Sequence, residues 1–130
     1  AVAHAVGTIA ARLTAAPFGA PEAPELLELG LGARELAAAE RAGALMRVTN
    51  NIVLLPGAVE LAMSRLATLP QPFRVSEARK VLRTTRRVAV PLLELLDRRH
   101  LTSRLPDGSR TATVRDPEPV LGNGLPVQTL

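Results

Sequence analysis

The hydrophobic residues of the chain follow two kinds of spacing that succeed one another in a fixed order. Apolar side chains recur with helical spacing in three segments, residues 2–15, 22–29 and 33–42. Two β-prone runs, 45–48 and 52–55, then flank an Asn-Asn pair, and asparagine tolerates the positive φ that a hairpin turn requires. The pattern therefore predicts three helices followed by a β-hairpin.

The same order of elements is predicted a second time. Helical spacing resumes after Pro56 in three segments, residues 59–69, 75–82 and 85–98. Strand-like runs at 101–104 and 109–113 then enclose a Pro-Asp-Gly turn. Two units with one element order indicate a tandem duplication. Three helices and a hairpin are the winged-helix plan, so the predicted fold class is mostly α with small β-hairpins (α+β), arranged as tandem winged-helix domains, a variant of the helix-turn-helix.

The repeat also predicts how the chain divides. We expect residues 1–56 to form a winged-helix domain that serves as a spacer or packing module. Residues 57–115 are predicted to form a second one, which carries the binding function. Proline and glycine dominate residues 116–130, which predicts a disordered C-terminal tail.

The composition restricts the core and excludes several kinds of site. Of the 130 residues 47% are hydrophobic, but Phe18 and Phe73 are the only aromatic ones, so the core must be largely aliphatic. The absence of cysteine excludes disulfides, iron–sulfur clusters and cysteine-based zinc sites. No apolar run approaches the roughly 18 residues of a membrane span, so we expect a cytoplasmic protein with no membrane partner. The chain does not begin with Met, and we interpret it as part of a longer protein.

The basic residues are concentrated in the second half of the chain. Residues 1–68 contain five arginines against six glutamates, whereas residues 69–115 contain ten arginines and Lys80 against four acids. A near-neutral half followed by a strongly basic half is typical of a protein that binds a polyanion through its second unit.

No arrangement of residues typical of catalysis is present in the sequence. His4 and His100 lie far apart, and neither has a candidate nucleophile near it in the sequence. The phosphate-binding motif G-x-x-x-x-G-K-[ST] is absent, and the Gly-Asn-Gly run at 122–124 is not a dinucleotide-binding motif. We therefore predict a protein that is not an enzyme and that has no cofactor, no metal site and no small-molecule substrate.

The segment Thr84-Thr85-Arg86-Arg87 carries the strongest signal for binding. Thr84 is predicted to cap the following helix, whose first backbone amides then face a ligand together with the positive end of the helix dipole. Arg86 and Arg87 add two charges at the same place, which predicts a phosphate site. The alternative is that these arginines only solvate an exposed helix face. Pro91 removes one backbone hydrogen bond from this helix and either bends it or divides it in two.

Other basic residues of the second unit are candidates for the same surface. Arg74 stands three positions before Glu77, where a capping box would have Ser or Thr, so the helix starts either there or at Ser76. Arg104 and Arg110 flank the turn of the second hairpin, and such wings commonly contact backbone phosphates.

Two stretches of the second unit resemble a known protein family. Residues 73–79 (FRVSEAR) and 84–98 (TTRRVAVPLLELLDR) are similar to the last winged helix of bacterial selenocysteine-specific translation elongation factors. That module has a similar Thr-Ser-Arg-Lys turn and a similar Pro-Leu-Leu-Glu helix. Upstream, Pro17-Phe18, Pro21-Glu22-Ala23 and Gly30-Leu31 look like the preceding module, so that the resemblance covers roughly residues 15–113.

The resemblance implies a function in selenocysteine incorporation during protein biosynthesis. The whole factor is a GTPase that delivers selenocysteyl-tRNA, and its C-terminal winged helices bind an mRNA hairpin beside the recoded UGA codon. The GTPase part has no counterpart in this chain, so GTP binding does not transfer. The implied partners are the mRNA hairpin and, through the parent factor, the ribosome, with the fragment itself a monomer.

The resemblance also indicates which residues contact the RNA. Thr84 to Arg87 match the family's recognition turn, whereas Arg74 departs from the family pattern of a capping Thr. The residues predicted to bind RNA are Thr84, Thr85, Arg86, Arg87, Arg74, Arg104, Arg110 and Lys80.

Two other functions remain open on the sequence alone. A winged helix is also the common plan of DNA-binding transcription regulators. A third possibility is a protein-interaction module whose basic half contacts an acidic partner, because the fold by itself does not define the function.

Overall fold

The computed structural model describes residues 2–49 and 51–113 of the chain. The tail predicted at 116–130 lies outside these residues. Among the helices described, none is long and apolar enough to cross a membrane.

The first unit consists of three helices and a two-stranded antiparallel sheet, in the predicted order. Its elements are α1 (Val2–Ala15), α2 (Ala23–Glu28), α3 (Ala33–Arg41), β1 (Met46–Thr49) and β2 (Ile52–Leu54). Ala5, Ile9 and Leu13 recur every fourth position of α1 and are buried, so α1 turns its apolar face to the core. In the hairpin Met46 pairs with Leu54, and the register shifts between Arg47 and Thr49.

The second unit repeats this order. Its elements are α4 (Ala58–Leu66), α5 (Val75–Leu82), α6 (Arg86–Arg98), β3 (Thr102–Arg104) and β4 (Arg110–Ala112). The strands of the second hairpin pair without irregularity, Thr102 opposite Ala112 and Arg104 opposite Arg110. The predicted fold class is confirmed: both units are three helices with a small antiparallel sheet, the winged-helix plan.

Two helix boundaries differ from the sequence prediction. α4 ends at Leu66 instead of Leu69, because the amides of Thr68 and Leu69 bond to carbonyls three residues back, in tight turns that precede Pro70. α5 begins at Val75 with Arg74 as its N-cap residue, so the alternative start at Ser76 is wrong. The Glu77 carboxylate accepts a 2.8 Å hydrogen bond from the Arg74 amide, which is the half of a capping box that does not need a Ser or Thr at the cap.

The two aromatic residues occupy corresponding places in the two units. Phe18 follows α1 and Phe73 follows α4, each directly after a proline, and both side chains are buried. Phe73 also exchanges two 2.8 Å backbone hydrogen bonds with Arg110, which ties the start of α5 to the second hairpin. The buried side chains of both units form one continuous hydrophobic cluster, and α6 packs against β1 across the boundary between the units.

Four helix ends share one backbone geometry. After each of α2, α3, α5 and α6, a residue in the left-handed conformation donates its amide to the carbonyl three residues back. The next amide bonds to the carbonyl five residues back, which is the Schellman arrangement. The left-handed residue is glycine at both ends in the first unit but not in the second; the four are Gly30, Gly43, Arg83 and His100.

Candidate nucleic-acid interface

The turn between α5 and α6 carries two exposed arginines. Arg83 is the left-handed residue at the end of α5, with φ 56°, and Arg86 is the first residue of α6. Both side chains are exposed, and neither forms an ion pair within the part of the chain that is described. One exposed cation therefore lies just before the third helix and one on its first turn, and this helix usually meets nucleic acid in this fold.

Thr84 does not cap α6. The N-cap residue is Thr85, and its hydroxyl makes no capping hydrogen bond. The Thr84 hydroxyl instead donates a 2.7 Å hydrogen bond to the carbonyl of Phe18 in the first unit. The sequence prediction assigned the cap one residue too early because either threonine fits the local pattern, whereas the partner of Thr84 lies in the other unit.

Arg87 contacts the first unit as well. Its Nη2 donates a 2.5 Å hydrogen bond to the Ala20 carbonyl, and its charge helps to lower the pKa of Glu25, for which the hydrogen bond from Arg12 is the main cause. The nearby Arg12–Glu25 ion pair measures 2.7 Å. Arg86 and Arg87 thus differ: Arg86 faces solvent, while part of the hydrogen-bonding capacity of Arg87 is used by the neighbouring unit.

Arg110 is buried, and the prediction that it meets RNA phosphates from the wing is wrong. Only 4% of the residue is exposed, and its guanidinium bonds both carboxylate oxygens of Asp97 at 2.9–3.2 Å. The Thr102 hydroxyl donates to the same carboxylate at 2.5 Å. Burial alone would raise the pKa of Asp97, but the hydrogen bonds from Arg110 and Thr102 outweigh it and the pKa lies below its usual value. The arrangement fastens the hairpin to α6.

The remaining predicted residues lie on the exposed surface of the second unit. Lys80 is exposed near the end of α5, and Arg104 is exposed on β3. Arg74 forms a 3.3 Å ion pair with Asp107 in the turn of the wing, with about 60% of both side chains exposed. Such an exposed pair contributes little stability, so Arg74 can exchange Asp107 for another anion at small cost.

The basic residues form two groups. Lys80, Arg83 and Arg86 surround the α5–α6 turn, and we call them the turn group. Arg74 and Arg104 lie at the wing, and we call them the wing group. Arg74 precedes α5 and Arg83 follows it, so these members of the two groups are about 13 Å apart along the helix axis.

Sequence reasoning missed Arg83. The signal was available in the repeat: aligning the two units places Gly30, which ends α2 in the left-handed conformation, opposite Arg83, which ends α5. A basic residue at a position that favours glycine is strained, and strain of this kind concentrates at functional sites.

These features define a class, a tandem winged-helix protein whose second unit is strongly basic. Residues 64–110 match the family model described as Elongation factor SelB, winged helix. Among solved structures the chain is similar to a bacterial selenocysteine-specific elongation factor, EF-Sec, with a TM-score of 0.65 and 23% sequence identity over 85% of this chain and 18% of that one. No curated protein sequence matches the chain.

The comparisons agree with the resemblance deduced from the sequence. The family match runs from α4 to β4 and lies within the second unit, whose resemblance to the C-terminal winged-helix region of selenocysteine-specific elongation factors is confirmed. The structural similarity shows the fold, and its extent means that it includes both units. The chain spans less than a fifth of the length of EF-Sec, and the family it matches describes a winged-helix module, not a catalytic domain.

Proposed function

We propose that the chain binds an RNA hairpin and is the C-terminal, mRNA-tethering part of a selenocysteine-specific elongation factor. The observation that carries the proposal is the pair of exposed guanidiniums of Arg83 and Arg86, which form no ion pair with any described residue, in a unit that matches the winged helix of that factor. In the parent protein this fragment would hold the factor beside a recoded UGA codon on the ribosome in the cytoplasm.

The charge distribution supports a polyanionic partner. Within residues 57–113 ten arginines and Lys80 stand against five acids, whereas within residues 2–56 four arginines stand against five acids. Two of the five acids in the second unit already have basic partners, Asp97 with Arg110 and Asp107 with Arg74. Within residues 2–49 and 51–113 the turn group forms no ion pair, so its positive potential is available to phosphates.

The match to the elongation-factor winged helix favours an RNA hairpin over other nucleic acids, and the arrangement of the basic residues is compatible with one. Side chains cannot read the deep, narrow major groove of an A-form stem, so proteins recognise such RNA at loops, at phosphates and through shape. A turn with Arg83 before the helix and Arg86 at its start is compact enough to contact a loop. The wing group, whose Arg74 lies about 13 Å from Arg83 along α5, would contact the phosphates of the stem. The described surface offers no aromatic side chain for base stacking, since Phe18 and Phe73 are both buried.

A titration of the full chain with three ligands tests the proposal. An RNA hairpin, a DNA duplex of equal length and an unstructured RNA are compared at one salt concentration, because affinities for nucleic acid depend steeply on salt. The hairpin is expected to bind at least tenfold more tightly than the other two. Preference for the duplex would indicate a DNA-binding regulator, and binding of none of the three would leave a protein-interaction module.

Two double variants locate the binding surface. Arg83→Gln with Arg86→Gln should lower hairpin affinity at least tenfold, since a lost charge-assisted hydrogen bond costs about 1.5–3 kcal/mol. The matched control is Arg34→Gln with Arg41→Gln, which removes two exposed arginines from α3, the corresponding helix of the first unit. If the Arg34–Arg41 variant weakened hairpin binding more than the Arg83–Arg86 variant, the binding surface would lie on the first unit and the proposal would be wrong.

A further inference from the structure

The start of α6 is bonded to a loop of the first unit. This loop, residues 17–22, is the main part of the connection between α1 and α2. The Thr84 hydroxyl donates to the Phe18 carbonyl at 2.7 Å, and Arg87 Nη2 donates to the Ala20 carbonyl at 2.5 Å. Both hydrogen bonds are partly buried, and both acceptors belong to the loop. Two side chains at the α5–α6 turn, Thr84 and Arg87, therefore form hydrogen bonds with the first unit.

The same loop is held by packing. Phe18 is only 1% exposed, and the guanidinium carbon of Arg65, on α4, lies 5.5 Å from the centroid of its ring. A cation at this distance from an aromatic face is attracted to it. Because the buried cluster is also continuous across the two units, the polar contacts of Thr84 and Arg87 stand at the edge of an apolar interface.

Two carboxylates lie close to Arg87. Glu22 and Glu25 line one groove between the units together with Arg87, Arg83 and Arg12, and Glu25 is paired with Arg12. Arg86 is not among the residues that line this groove. A phosphate that bound Arg87 would share the guanidinium with the Ala20 carbonyl and would also lie near two carboxylates. Phosphate binding is therefore less favourable at Arg87 than at Arg86.

We propose that Thr84 and Arg87 are positioning residues that dock the loop 17–22 against the α5–α6 turn, and do not contact RNA themselves. The docked loop holds the two units as one rigid body and orients the turn from which Arg83 and Arg86 project. The first unit then contributes to binding by orienting this turn, and is more than a spacer. The effect on RNA binding rests on the proposed function, whereas the docking does not.

The docking is tested without RNA. The chain has no cysteine, so Ala38→Cys on α3 and Ser103→Cys on β3, both exposed positions, accept one spin label each. Pulsed dipolar spectroscopy should give one narrow distance distribution for the otherwise unchanged chain. Adding Thr84→Val with Arg87→Ala should at least double its width, while Arg86→Ala, the exposed neighbour, should leave it unchanged. Far-ultraviolet circular dichroism checks that each variant is folded. An unchanged width in the Thr84–Arg87 variant would overturn the proposal.

The salt dependence of hairpin affinity separates positioning from contact. Arg86→Ala should reduce the slope of log affinity against log salt by about 0.7–0.9, the contribution of one phosphate contact. Arg87→Ala should lower affinity roughly three- to tenfold with the slope unchanged. A fall in slope equal to that of Arg86→Ala would make Arg87 a phosphate ligand and would refute the positioning role. If the unsubstituted chain bound no hairpin, the proposed function would fail while the distance measurement still decided the docking.

Discussion

At the scale of single residues, the second unit uses chemically identical side chains for different purposes. Arg110 is buried against Asp97, Arg87 bonds the first unit, and Arg86 faces solvent. No local sequence feature separates them, because the partner of Arg110 is 13 positions away and the partner of Arg87 is 67. The candidate site could therefore be predicted as a region from its charge, but its membership depended on tertiary contacts.

Asp97→Asn tests the structural role of the Asp97–Arg110 pair. Leaving the buried Arg110 without its charged partner should lower the free energy of unfolding by about 3 kcal/mol at pH 7. Because the pKa of Asp97 is lowered in the folded state, its contribution is present above the unfolded pKa of about 3.9 and is lost as the pH falls through the folded pKa. Urea unfolding should show the difference between wild type and variant shrinking between about pH 5 and pH 2. A constant difference over this range would contradict the ion-pair explanation.

Arg83→Gly tests whether strain at the end of α5 serves binding. Glycine adopts the left-handed conformation freely, so the variant should be more stable by about 1 kcal/mol in thermal unfolding. Hairpin affinity should nevertheless fall about tenfold, because a guanidinium is lost. His100→Gly is the matched control, since His100 has φ 60° at the end of α6, away from the turn group. The His100→Gly variant should gain similar stability with its hairpin affinity unchanged. Equal losses of hairpin affinity in the two variants would contradict the assignment of Arg83 to the binding surface.

At the scale of elements, periodicity predicted nearly every helix and strand. The pattern succeeded because each amphipathic helix turns one face to the core, as the buried Val88, Leu92 and Leu96 of α6 show. It was less accurate at helix ends: Thr84 and Thr85 are equally good caps in sequence, and only the carbonyl of Phe18 distinguishes them. Pro91 lies inside α6, which continues across it, so the interpretation of two separate helices is wrong.

Pro91→Ala should stabilise the chain. Proline leaves the Arg87 carbonyl without its helical donor, and alanine restores that hydrogen bond at a half-buried position. The gain is reduced because alanine makes the unfolded chain more flexible, so we expect about 1–2 kcal/mol in urea unfolding. Pro56→Ala, at an exposed proline outside the helices, is the control and should give no gain. A loss of stability in Pro91→Ala would mean that the packing of α6 requires the proline.

At the scale of the whole molecule, the two units share one core. The sequence predicted two modules joined with little linker, but the continuous buried cluster and the packing of α6 on β1 make their stabilities interdependent. Contacts between units produce no periodic pattern in a sequence, because they depend on the packing of one folded unit against the other. Phe18 illustrates this, since its carbonyl and its ring both contact the second unit.

Phe18→Ala should therefore destabilise both units together. Truncating a fully buried phenylalanine costs about 3–5 kcal/mol. Fluorescent labels at Ala38→Cys or at Ser103→Cys should report the same urea midpoint in the parent chain and the same lowered midpoint in the variant. Leu27→Ala, at a leucine that is 68% exposed, should shift neither midpoint appreciably. Two well-separated midpoints in the parent chain would show that the units unfold independently.

The shared Schellman geometry also gives a way to sort winged helices by inspection. A residue just after the second helix of a unit has a left-handed backbone, which glycine adopts without strain. A basic residue at this position therefore has a conformational cost. The first unit has Gly30 at this position and the second has Arg83. In this chain that single position distinguishes the unit proposed to hold the nucleic acid from the unit that supports it.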